Sequence, residues 1–528
     1  MTSTRTWLDR YAALVEHMYA IRKACPSLVA LGASTLAPRH PLPPDQLALL
    51  ADPDGAGKGL TAPIGALEIL ARWLQAVAFA LRDTARLIRL QWRAGAAVRR
   101  RTAAGATVLL KTWAFGPQSV RTEGDFYYAT LVQQLQRRGV KAMLLCGDAR
   151  SAIDPAFART VLDHPSGAAV PEQALIPWWA PVVVAGRQLS TAWALRRFAR
   201  THAGAPVATV AATAARGCLE PIAMRNVLQF YVAREAMRRC RAQVYVTFHE
   251  GQPWELPAWH GARAANPACV VVGYQHTILM PYSFALLRPH RGSWEHASPD
   301  VILTVGDQTR RMIADGTGQS ARLATFGSYR RQPGSDATQP PQPARRTVLV
   351  LPEGNLPESC VLFNFAMDAA AALPDHRFIF RCHPLLPFNR VRPHLARDPD
   401  ALRNVELSPH PSIATDFDRS SIVLYRGSSA VLYGVLRGLK PVYVHHPAHP
   451  EIDPLFEITR WRERVDAVER FADVLRGFSS TTVQAAAAEW QPVAEYIDRY
   501  TVPVDDEAID RFLSVVGLRS EEAVACAA

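Results

Sequence analysis

The chain has 528 residues, 49% hydrophobic and 20% charged, a globular composition long enough for two cores. A formal charge of +12 points to an anionic partner such as a nucleotide, an acidic lipid, nucleic acid or an acidic glycan. The eight cysteines (25, 146, 218, 240, 269, 360, 382, 526) form no CxxC pair, and no apolar run nears the roughly 20 residues of a membrane span, so a zinc site, a disulfide framework and a spanning segment are all disfavoured.

The N-terminal stretch Met1-Thr-Ser-Thr-Arg-Thr-Trp7 lacks the apolar core of a signal peptide, and a reduced, cytoplasmic protein is expected. Residues 1–104 read as a basic helical extension. Leu8, Tyr11, Leu14, Val15 and Met18 have helical spacing, a loop with Pro38, Pro41, Pro43 and Pro44 follows, and Asp45 starts a short helix. From Pro63 to Arg93, Leu70, Leu74, Val77, Leu81, Thr84 and Ile88 recur at spacings of three and four, forming one apolar stripe. Arg72, Arg82, Arg86, Arg89 and Arg93 fall mostly away from it, Arg99-Arg100-Arg101 follows, and Trp73 and Trp92 sit near the ends. Two readings stay open. The helix packs on the protein with a solvated basic face, or residues 63–101 lie against the inner membrane as a peripheral contact. No nucleic-acid motif or aromatic platform accompanies the arginines, so no nucleic-acid partner is expected.

Residues 105–330 read as a first α/β domain. A strand over 106–113 carries Lys111, a loop with Gly116 and Pro117 leads to Asp125 and a helix, and a second strand covers 140–145, which makes one βαβ unit. Residues 177–185, rich in Trp and Val, read as a buried strand or an acceptor-side loop. A helix over 227–242 precedes a strand over 243–248 that ends in His249-Glu250-Gly251-Gln252-Pro253-Trp254-Glu255. The next strand, 269–274, ends in Gln275-His276-Thr277.

Residues 331–345 read as a linker by their Pro, Gly, Gln and Ser content. In residues 346–475 a strand runs into Pro352-Glu353-Gly354, a second ends at His383-Pro384, and a third passes through Arg426-Gly427-Ser428-Ser429 into a small-residue helix. Residues 476–528 form a helical tail. Apolar runs alternating with helices imply βα units on parallel sheets, and the polar residues stand where strands stop. In an open parallel sheet those ends gather at the carboxyl edge, where ligands bind.

Two facing Rossmann-like domains are the architecture of the GT-B glycosyltransferases. A Walker A loop is missing, the lack of a Gly-x-Gly-x-x-Gly after either first strand argues against a dinucleotide oxidoreductase, and without Gly-x-Ser-x-Gly a hydrolase elbow is unsupported. His383-Pro384 and Ser428-Ser429 resemble the His-Pro and Ser-Ser motifs of bacterial sialyltransferases and Kdo transferases, which use CMP-activated sugars. His249-Glu250-Gly251 resembles their acidic-acidic-Gly motif, with His in place of the first acid. With Lys111-Thr-Trp113, Gly273-Tyr-Gln-His276 and Pro352-Glu-Gly354, the pattern over roughly 105–475 looks like the surface-carbohydrate biosynthesis proteins of that group.

The resemblance implies an α/β fold of two facing Rossmann-like domains (GT-B) behind a helical extension. It implies transfer of Kdo or a related nonulosonate from a CMP-sugar to a surface polysaccharide or its lipid-linked precursor, with no metal and no cofactor beyond the donor. Ser428 and Ser429, opening a helix, would aim hydroxyls and free N–H groups at the phosphate, and His383 would donate to it as the glycosidic bond breaks. Gly427 permits close backbone approach, Arg426 is a phosphate clamp, and Glu353 with Gly354 forms a turn beneath the nucleotide. Glu250 is the base of an inverting enzyme or the nucleophile of a retaining one, with Glu255 and Asp125 as fallbacks. Lys111, Gln275 and His276 would hold acceptor or donor sugar. The competing readings are a transferase using a UDP-, GDP- or dTDP-sugar, a CDP-polyol phosphotransferase, and a non-catalytic scaffold at the membrane.

Overall fold

The computed structural model describes residues 2–25, 36–37, 50, 64–120, 124–150, 153–164, 166–288, 298–316, 320–331, 339–384 and 386–518. The Pro-rich loop, the helix start at Asp45, Pro63, residues 332–338 of the expected linker and the last residues of the tail lie outside the described residues. The chain forms two compact units. One comprises Asp9–His276, Ser283–Arg330 and Val504–Ala528, and the other Met1–Leu8, Thr277–Tyr282 and Arg331–Pro503.

The larger unit is built on a seven-stranded parallel sheet of β1 (Val108–Ala114), β2 (Ala142–Asp148), β3 (Ala169–Pro171), β4 (Val244–Phe248), β5 (Val270–Gln275), β6 (Val301–Thr304) and β7 (Arg322–Thr325). Their order is β3-β2-β1-β4-β5-β6-β7. The central strands are buried almost without interruption, as a parallel sheet covered on both faces requires. Val108 pairs with Ala142 on one side and Val244 on the other, which fixes the register at the centre. The smaller unit has a six-stranded parallel sheet of β8 (Thr347–Leu351), β9 (Arg377–Phe380), β10 (Val405–Leu407), β11 (Ile422–Tyr425), β12 (Lys440–Val444) and β13 (Glu463–Val465), ordered β10-β9-β8-β11-β12-β13. Both sheets reverse strand order once, between β1 and β4 and between β8 and β11, the Rossmann-like winding. The fold is therefore the expected class: two Rossmann-like α/β domains with an N-terminal helical extension.

That extension consists of α1 (Thr2–Ala24) and the long α2 (Ala66–Ala103). Between β3 and β4 the chain adds α3 (Ala180–Thr201), α4 (Pro206–Gly217) and α5 (Pro221–Cys240). Ala80 and Leu87 of α2 join Val184 of α3 and Leu228 of α5 in one buried cluster. The expectation of a buried strand or loop over 177–185 is corrected: these residues enter α3, and Trp178, Trp179, Val182 and Val183 are exposed. Proline in the first turn of α3 is compatible with a helix start, which the β-branched run concealed. Among the described residues no helix is long and apolar enough to cross a membrane.

One helix contact sets a size limit. Helix Glu255–Ala265 crosses α5 at Gly261, where an added Cβ would lie 2.1 Å from the Phe230 carbonyl oxygen. Backbone gives way less readily than a side-chain tip, so Gly261→Val should destabilise the larger unit by about 1–3 kcal/mol. A thermal melt lowered by several degrees is expected; an unchanged melt would contradict this packing.

Candidate active site

In the smaller unit the loops after β8, β9 and β11 converge at the point where strand order reverses. Gly427 follows β11 with a φ of +66°, a conformation suited to glycine, and a Cβ there would lie 2.8 Å from Glu353 Oε2. A Cβ on Gly354 would lie 2.7 Å from His383 Nδ1. The Glu353 carboxyl thus rests over Gly427 and the His383 ring over Gly354. Ser428 is buried, while Ser429 and Pro384 are exposed. The serines do not open the helix as expected. Helix Val431–Leu436 begins after Ala430, and the N–H groups of Val431 and Leu432 donate back to the carbonyls of Ser428 (3.3 Å) and Ser429 (3.2 Å). The pair sits in the preceding turn.

Arg426 requires a correction. Its guanidinium is fully buried and donates to Glu358 Oε2 (2.6 Å), the Val444 carbonyl (2.7 Å) and the Pro450 carbonyl (3.1 Å). It braces the loops from inside and presents nothing to a phosphate. Glu358, which sequence reasoning missed, also lies 3.0 Å from His449 Nδ1. Burial raises the Glu358 pKa, but His449 and Arg426 outweigh it and hold the carboxyl below its usual range. Glu353 has no such partner. Burial, then the Glu358 charge, push it up to about 7 against the pull of Arg426.

The larger unit assembles a second cluster. Glu250 follows β4, its side chain about a quarter exposed, and its Oε1 lies 3.4 Å from His276 Nε2. The His276 ring packs edge-on to Tyr127 (5.0 Å) and against Phe248 (4.4 Å). Burial and the charge of Arg330 hold His276 well below its ordinary pKa, so the imidazole beside Glu250 is neutral. Glu255 is not a free acid: its carboxylate accepts the backbone N–H groups of Glu250 (2.8 Å), Gly251 (3.2 Å) and Gln252 (3.0 Å), and His249 Nδ1 lies 3.0 Å away. It pins the loop that presents Glu250. Asp125 likewise accepts from Thr112 Oγ1 (2.7 Å) and the N–H groups of Tyr127 and Tyr128, with its pKa raised by burial. Both fallback acids are structural. Gln275 is buried, its Oε1 accepting the Val305 N–H at 3.3 Å.

Lys111 is also corrected. It is wholly buried, 2.6 Å from Glu172 Oε2 and 3.2 Å from the centre of the Trp113 ring. Burial lowers its pKa against the opposing pull of Glu172. Gly147 makes room, since a Cβ there would meet Lys111 Nζ at 2.6 Å. Beside the pair is a cavity of about 60 Å³ bordered by Trp113, Trp254, Asp148, Gln173 and Gln229. Among the described residues the buried Oε1 atoms of Gln173 and Gln229 have no hydrogen-bond partner. Neither glutamine carried a sequence signal, because each acquires its neighbours through the fold.

No family model and no curated protein matches the sequence. Several solved structures are similar in fold. The glycotransferase of kitacinnamycin is 14% identical, covering 79% of this chain and 99% of its own, with a TM-score of 0.46. The α,α-trehalose 6-phosphate synthase of Burkholderia multivorans is 11% identical, covering 80% and 97%, with a TM-score of 0.43. The UDP-GlcNAc 2-epimerase of Methanocaldococcus jannaschii, in complex with UDP-GlcNAc and UDP, is 8% identical, covering 78% and 99%, with a TM-score of 0.41.

Two outcomes follow from this geometry. Removing the Arg426 guanidinium strands a buried carboxylate, so Arg426→Ala should cost about 3–5 kcal/mol in a denaturant titration. The raised pKa of Glu353 means that the folded state holds a proton more tightly than the unfolded chain. Its contribution is complete below the ordinary glutamate range of about 4.3 and fades as pH rises toward about 7. Glu353→Gln should flatten that part of the pH–stability curve; an unaltered slope would contradict the assignment.

Proposed function

We propose that the protein is a glycosyltransferase that moves a sugar from a nucleotide-activated donor to a glycan or lipid-linked glycan acceptor. The observation that carries this reading is the convergence of Glu353 over Gly427 and His383 over Gly354 at the β8–β11 reversal, beside Ser428 and Ser429. An imidazole, paired hydroxyls and a carboxyl that keeps its proton near neutrality form a donor set for an oxyanion. Such a set stabilises the leaving phosphate as negative charge develops on it.

In this reading Glu250 takes the proton of the acceptor hydroxyl while that oxygen bonds to the anomeric carbon. The bond from that carbon to the phosphate oxygen breaks, and its electron pair leaves with the nucleotide. The cavity bordered by Gln173 and Gln229 has acceptor oxygens to spare and suits a hydroxyl-bearing group. With Arg426 withdrawn into the interior, the cradle suits one phosphate rather than a pyrophosphate. That favours the CMP-activated donor, of the Kdo or nonulosonate type, drawn from the His-Pro and Ser-Ser pairs. The second reading is a UDP-sugar, the ligand named with the similar epimerase structure.

A thermal-shift panel separates these. CMP should raise the melting temperature most, and His383→Ala should abolish the rise. Stabilisation by UDP alone would move the donor to uridine, and no response to CMP, CDP, UDP, GDP or dTDP would overturn the transferase reading. Glu250→Gln should lower transferase turnover roughly 10²–10⁴-fold while the nucleotide shift persists.

A further inference from the structure

Helix α2 has three faces. Ile69, Ala76, Ala80, Leu87, Leu90 and Val98 are buried against the protein. Arg82, Arg86, Arg89, Arg93 and Arg100 are exposed on a second face. The third is apolar and open: Leu67 (83% exposed), Leu70, Leu74 (61%), Leu81 (56%), Ile88 and Trp92 (84%). Leu70, Leu74, Leu81 and Ile88 of the stripe that periodicity singles out lie on this third face, while Val77 and Thr84 are partly buried and Val77 packs against the buried cluster.

The stripe has exposed apolar company. Trp73 Nε1 donates to the Ala185 carbonyl (2.9 Å) and Gln91 Nε2 to the Ile176 carbonyl (2.6 Å), so the start of α3 runs antiparallel beside α2. There the exposed Trp178 and Val182 stand next to the helix. The open apolar area on α2 is on the order of several hundred Å², the range in which an exposed patch marks an interaction site.

The geometry points to an anionic lipid bilayer as the partner of this face, with α2 lying in the headgroup plane. Charge selects that occupant. Leu67, Leu74, Leu81 and Ile88 recur every seven residues, which would also suit a second copy. Pairing two copies would bring the arginines that flank this seam together, and like charges there disfavour it. The two acids of α2 are already engaged, Glu68 by Arg72 and Arg216, and Asp83 by burial beside Arg82 and Arg86. Nucleic acid would take the arginines and leave the leucines in water. Acidic headgroups beside an acyl layer satisfy both faces at once. Trp92 and Trp178 supply the aromatic rings that favour the headgroup level.

The test is co-sedimentation of the full-length protein, without nucleotide, with phosphatidylcholine vesicles alone or with about one-third phosphatidylglycerol. Anionic vesicles should capture at least about tenfold more protein, and about 1 M salt should reduce capture. Leu74→Glu/Leu81→Glu changes exposed side chains only; it should bind at least about tenfold less while keeping the wild-type melt. Arg86→Glu/Arg89→Glu should lose the preference for anionic vesicles. The proposal is overturned if wild type ignores anionic vesicles or if the leucine variant binds them as wild type does. It is also overturned if wild type is a dimer that this variant converts to a monomer, which would give the stripe to a second copy. None of these outcomes depends on the transferase reading.

Discussion

The edge of the smaller sheet depends on one buried cation. Arg426 leaves β11 and turns inward, where its Nε donates to Glu358 and its two terminal nitrogens each donate to a backbone carbonyl. Desolvating a guanidinium and a carboxylate is expensive, and the pair adds little net stability compared with an apolar replacement. What it supplies is specification. The loops after β8, β11 and β12 are tied to one planar group, and Gly427 and Glu353 take their positions from it. Glu353 has no ion pair among the described residues, and burial beside Glu358 keeps its proton on near neutrality.

The larger unit uses its acids differently. Glu255 and Asp125 spend their oxygens on backbone N–H groups, which fixes the turns at 249–255 and 125–128. Glu250 is the acid those turns leave at the surface of the cluster, against an imidazole too buried to compete for its proton. Glu250 and Glu255 looked alike as acids after a strand, and Asp125 stood at the head of a helix. That Glu255 and Asp125 act as braces comes from the backbone N–H groups that the fold aims at them.

That contrast shows what was legible in the sequence. Strand ends at Pro352, His383, Arg426, His249 and Gln275 were visible because apolar runs stop abruptly there. Period and punctuation also gave the parallel α/β class. Side-chain direction was not legible. Arg426 and Lys111 read as cations facing a ligand, yet Glu358 and Glu172, 68 and 61 residues away in the chain, draw them inside. The α2 stripe was legible as a shared face, but the side on which the helix packs was not. Helical spacing reports that leucines share a face, but not that small residues such as Ala76, Ala80 and Ala94 allow closer packing on a different one. Residues 177–185 misled because exposed Trp and Val imitate a buried strand when burial is inferred from hydrophobicity alone.

The Lys111–Glu172 pair has a practical consequence. An amine enclosed by Trp113 and by the space at Gly147 is shielded from acylating reagents while its surroundings stay closed. Lys141, exposed just before β2, reacts from the closed state and provides an internal standard. The ratio of the two labelling rates is therefore a chemical clock for breathing at the carboxyl edge of β1, readable by peptide mass without mutation, dye or ligand.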